Sequence, residues 1–92
     1  MKYLAKTKTR VVTDNTIITP EDFGGWSALN VGDTIAYVND VPLDTAGPIV
    51  GVDYTAVHPS VVWGEDIVIR FDTVNPGTTP RVVLTFIKYT EI

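Results

Sequence analysis

Nowhere in this chain do apolar residues recur at helical spacing over a run long enough to bury a helix, whereas alternation with a period of two begins within its first residues. In an extended strand that period sends neighbouring side chains to opposite faces. Residues 65–74 show it best, with Ile67, Ile69 and Phe71 on one side and Asp66, Val68, Arg70 and Asp72 on the other. Residues 81–90 are apolar on both sides, Val82, Leu84 and Phe86 against Val83, Ile87 and Tyr89. Such a strand is either central in a sheet or leaves one face for a partner.

Between these stretches lie Gly, Pro, Asn and Asp clusters of turn composition. Residues 13–16 form a turn, Ile17-Ile18-Thr19 a short strand, and residues 27–33 a lead-in to a strand at Thr34 to Val38. Asn39 to Asp44 reads as a turn and connection, and Ile49 to Val57 as an irregular strand closed by His58-Pro59-Ser60. Asn75 to Pro80 is a loop whose shortness predicts an antiparallel hairpin between the strands on either side. Thr19-Pro20-Glu21-Asp22 has the composition of a helix start, with Thr19 as cap, but Gly24-Gly25 cuts it short. One helical turn near residues 20–26 is expected, carrying Phe23 and Trp26 inward. The fold class is therefore all-β: a small antiparallel β-sandwich or partly open barrel of five to six strands.

The chain has 92 residues, the size of one domain, so residues 1–92 are read as a single unit with 1–12 as an extended basic arm. Apolar residues make up 45% and charged residues 20%, which excludes the composition of disordered chains. Cysteine is absent, so neither disulfides nor thiolate metal sites contribute. Lysines and threonines interrupt the start where a signal peptide needs an apolar core, and no apolar run is long enough to span a bilayer. An untargeted, soluble protein is expected.

Charge is divided unevenly. Lys2, Lys6, Lys8 and Arg10 precede the first acid, Asp14, and after them three basic residues stand against 11 acidic ones. All four cations occupy even positions, so the arm is predicted to be a strand with one cationic face. Lysines on a strand edge deter edge-to-edge pairing; alternatively the arm docks on the acidic body of this or a neighbouring copy. Nucleic acid is disfavoured, because an acidic body repels phosphates and no stacking aromatics interleave with the cations.

No catalytic, cofactor or metal site emerges. His58 is the single histidine and lacks the spacing of a metal motif, and the serines, Ser27 and Ser60, sit in no nucleophile elbow. Glu65 and Asp66 are strand neighbours and face apart; Glu21 and Asp22 belong to the helix-start signal. Gly24-Gly25 follows that signal rather than opening a phosphate loop, and the aspartates form no calcium loop. Trp26 and Trp63, each beside a glycine, suit core or interface anchoring, with carbohydrate stacking as the alternative.

Taken whole, the chain resembles the small, cysteine-free, all-β virion proteins of tailed bacteriophages, the capsid auxiliary (decoration) and head-to-tail or fibre-attachment types. The likeness lies in the basic start Met1 to Val12, the segment Val31 to Pro42, and a last strand running to Ile92. It implies a non-enzymatic structural protein that binds a capsid lattice or other virion proteins, forms homo-oligomers and resides in the virion. Candidate interface residues are Lys2, Lys6, Lys8, Arg10, Trp26, Trp63, Val83, Ile87 and Tyr89. A carbohydrate- or peptide-binding β module of a larger surface assembly is the alternative.

Overall fold

The computed structural model describes residues 2–45, 51–54, 62–74 and 76–92. Among them are eight strands: β1 (Tyr3–Val12), β2 (Thr16–Ile18), β3 (Gly25–Asn30), β4 (Ala36–Val38), β5 (Val41–Leu43), β6 (Gly51–Tyr54), β7 (Ile67–Phe71) and β8 (Val82–Glu91). They build two open four-stranded sheets, ordered β1-β8-β3-β6 and β2-β7-β4-β5, with every pairing antiparallel. The all-β sandwich expected from the pattern is present, and the sheets do not close into a barrel.

The alternation places the core. Val12, Trp26, Ala28, Val82 and Leu84 line the inner face of the first sheet, and Ile18, Ala36, Val38, Leu43, Ile67 and Ile69 that of the second. Ile67, Ile69, Leu43, Val82 and Leu84 are fully buried, and each such aliphatic side chain contributes about 1.5–3 kcal/mol of burial.

Several expectations are corrected. The described residues contain more than five or six strands because short segments pair too. Val41 to Leu43, read as a connection, is β5, and its Pro42 is tolerated because β5 lies at a sheet edge. Asn39 and Asp40 both have positive φ, 48° and 65°, so the β4–β5 loop is a two-residue turn of the mirror-image type that suits hairpin twist. Residues 27–30, read as a lead-in, belong to β3, which pairs with β8 on one side and β6 on the other.

No helical turn forms near residues 20–26. Asp22 takes a left-handed φ of 58°, which breaks the succession of right-handed residues that a turn requires. The chain swings directly into the first sheet, where Gly24 N–H donates to the Ile87 carbonyl at 2.8 Å. Phe23 still reaches the core, against Phe86 with ring centroids 4.8 Å apart.

The hairpin expected across Asn75 to Pro80 is also absent: β7 belongs to one sheet and β8 to the other. The connection is held from a distance. Asp33 accepts from the backbone N–H groups of Thr79 (2.7 Å) and Thr78 (2.8 Å) and from the hydroxyls of Thr78 and Thr34 (both 3.1 Å). Thr34 Oγ1 in turn accepts from Gly77 N–H at 2.8 Å. Gly77 must be glycine here, because a Cβ would collide with the Asp33 carboxylate.

These donors, the Thr79 N–H foremost, hold the Asp33 carboxyl below its ordinary value of 3.8, against an opposing effect of desolvation. A depressed folded-state pKa stabilises the protein above the unfolded value, and the gain is lost as pH falls through the folded value. Asp33→Asn is therefore expected to lower the melting midpoint at neutral pH. Thermal scans from about pH 6 down to about pH 2 should show parent and variant converging below the ordinary carboxylate range; a constant gap would deny Asp33 this role.

Candidate interaction surface

Antiparallel β1 and β8 pair along their whole lengths, Tyr3 opposite Glu91 through Val12 opposite Val82. β3 covers only Val82 to Ile87 of β8. Tyr3 to Lys6 and Lys88 to Glu91 therefore project beyond the third strand as a two-stranded ribbon, and the molecule is 49 Å long by 23 and 18 Å.

The hydrogen-bond phase of this ribbon follows from two observed bonds. Val31 N–H donates to Arg81 O and Ile92 N–H to Lys2 O, each at 3.0 Å. Both fit the registers of their strand pairs, and bonded pairs alternate along an antiparallel ladder. Odd residues of β8 therefore bond to β3 and its even residues to β1. Even residues of β1 are consumed in that pairing, and the backbone N–H and C=O groups of Ala5, Thr7, Thr9 and Val11 point to the open edge.

Side chains divide likewise. Odd positions form the outer face of the first sheet, where Val11, Val83 and Leu29 make one cross-strand row and Thr9, Thr85 and Ser27 the next. Val11 and Leu29 are 51% and 46% exposed, and Val83, Ile87 and Tyr89 are half-buried. Along β1 and β3 this face carries no charge. The even positions of β1 turn to the inner side, but beyond Val12 the short second sheet leaves them uncovered. Lys6, Lys8 and Arg10 line an open groove of about 450 Å³ with Lys88, Phe23, Phe86, Ile18 and Glu21.

Within the groove Lys6 stands directly opposite Lys88, a like-charge pairing that is destabilising. Lys88 is partly compensated by Asp22 at 3.4 Å. Among the described residues no carboxylate forms an ion pair with Lys6, Lys8 or Arg10.

Of the residues singled out in the sequence, Lys6, Lys8 and Arg10 gather in the groove, Val83, Ile87 and Tyr89 lie on the outer face, and Lys2 adjoins the ribbon tip. Trp26 does not join them. It is 1% exposed, stacked on Tyr54 at 4.6 Å and met edge-on by Trp63 at 5.5 Å, so it anchors the core and offers no face to a sugar or a partner. Trp63 is half-buried against the same cluster, tied by its backbone N–H to the Phe23 carbonyl at 2.7 Å. Neither buried indole N–H has an acceptor among the described residues.

His58 and Ser60 lie outside the described residues. Ser27 is on the outer face of the first sheet, and Glu65 and Asp66 are exposed. Among the described residues no group of three or more His, Asp or Glu side chains could hold a metal, and no helix is long and apolar enough to cross a membrane. Lys88, Val11 and Leu29 were not foreseen as members of these surfaces, because their membership depends on register between strands distant in sequence. Comparison with family models, curated proteins and solved structures returns no match to this chain.

Proposed function

We propose that this chain is a non-enzymatic structural protein of a phage particle, a capsid auxiliary protein that binds and stabilises the shell through subunit contacts. The outer face of the first sheet carries the reading: β1, β3 and the stretch of β8 from Val83 to Tyr89 present apolar and hydroxyl side chains there, and among the described residues charge enters this face only at Glu91 by the ribbon tip and at Asp53 on β6, whereas the rest of the chain is rich in acids. Depletion of charge with retained apolar area is the composition of an interface centre. The projecting β1–β8 ribbon adds support, since two strands alone are marginal in water and gain from being covered. A virion location follows from this reading and from the overall resemblance.

The peptide-binding half of the alternative is favoured by the open edge of β1. The carbohydrate half loses its platform in Trp26, which is buried.

Light scattering on the purified protein and co-sedimentation with particles from the producing cells test the proposal. The parent is expected to self-associate or to sediment with shells. Val83→Lys with Ile87→Lys, both on the outer face, should abolish this while leaving the circular dichroism unchanged. A strictly monomeric parent that sediments with no particle would overturn the reading.

A further inference from the structure

We propose that the open edge of β1 receives an acidic, extended segment of a partner protein, which adds to the first sheet as a fifth strand and lays its acids along the cationic groove. The inference deepens the assembly reading, on which it rests for the identity of the partner, by naming the chemistry recognised.

Two features coincide at this edge. The backbone groups of Ala5, Thr7, Thr9 and Val11 point outward as alternating donors and acceptors, a template for another strand. On the inner side of the same strand, Lys6, Lys8 and Arg10 recur at every second residue, about 6.6–6.8 Å apart. A strand laid alongside, about 4.7–4.9 Å away, has side chains of the same period. Its inward positions meet the three cations and are matched by Asp or Glu at i, i+2 and i+4. Its outward positions continue the uncharged rows of Val11 and Thr9 and suit Val or Thr. Among the described residues Glu21 is the one acid lining the groove, and of its four cations Lys6, Lys8, Arg10 and Lys88 only Lys88 has a carboxylate partner, Asp22.

Two other occupants fit less well. A second copy pairing through its own β1 would set cations against cations, which is destabilising. A nucleic-acid strand supplies phosphate acceptors for the lysines, but its donors lie on base edges and sugars and do not repeat at the spacing of the outward carbonyls of β1, so it matches this edge less well than a peptide backbone.

The test uses the full chain and synthetic peptides without any particle, so its failure leaves the light-scattering test of assembly standing. A fluorescent ten-residue peptide alternating Glu with Thr and Val is titrated by anisotropy, beside an isomer with its glutamates in one block. The alternating peptide should bind at least about tenfold tighter, with weakening at high salt. Amides of Ala5, Thr7, Thr9 and Val11 should gain protection from hydrogen exchange.

Thr7→Pro removes one edge-facing N–H and spares the β1–β8 ladder, because Thr7 does not donate to β8. It should weaken binding about tenfold, as should Lys8→Gln with Arg10→Gln. Equal binding of the block isomer, parent affinity in Thr7→Pro, or displacement by single-stranded DNA without amide protection would each overturn the proposal. If Thr7→Pro does not fold, amide protection in the parent decides.

Discussion

Asn30→Asp, which exchanges one amide nitrogen for oxygen, is expected to cost about 3–5 kcal/mol at neutral pH, a large share of a small domain's stability. Asn30 is 5% exposed at the end of β3. Its Nδ2 donates to the carbonyls of Thr34 and Leu43, both at 2.9 Å, and its Oδ1 accepts from Gly32 N–H at 3.1 Å. The Leu43 carbonyl belongs to β5 in the second sheet, so one side chain ties the two layers together across their interior. An aspartate would aim a buried charge at two carbonyl oxygens and leave both without a donor. Urea unfolding at about pH 7 measures the cost, and part of it should return near pH 4, where the carboxyl can protonate and donate once. A variant as stable as the parent would mean that the cross-sheet bonds contribute nothing.

The second large effect is expected at Trp26. Trp26→Ala should cost about 3–5 kcal/mol, since the ring is the largest fully buried side chain and supports Tyr54 and Trp63 at 4.6 and 5.5 Å. Trp26→Phe is expected to be much milder, because it keeps an aromatic surface and removes a buried N–H that has no acceptor among the described residues. Denaturant midpoints of the two variants separate these contributions. Equal losses would show that a phenyl ring cannot replace the indole and that the cluster depends on the shape of the indole itself.

Strand identity was legible wherever one face is polar. β1 and β7 announce themselves through alternation, and β8 through its two apolar faces. β7 is shorter than the run 65–74, since only Ile67 to Phe71 pairs with β2 and β4. β3 and β5 escaped because β3 opens on a glycine and ends on an inward asparagine, and β5 contains a proline. The helix signal at Thr19-Pro20 was real in composition but was overridden by the pull of Gly24 and Phe23 into the first sheet.

Loop length suggested a hairpin between β7 and β8. The energetics of that loop reside in Asp33, more than forty residues away, and no local rule reaches so far. The same limit governs the groove. The cationic period of β1 is visible in the sequence, but Lys88, Phe86 and Phe23 join it only through register and layer packing.

The pairing of β1 with β8 also dictates an order of events during synthesis. β1 leaves the ribosome about seventy residues ahead of its partner β8, with the rest of the sandwich between them. At about 5–20 residues per second, the arm waits several seconds with neither of its edges paired. Its lysines and arginine give that waiting strand a charge that repels other nascent copies. The final closure, a long-range antiparallel zipper, belongs to the slow class of folding steps.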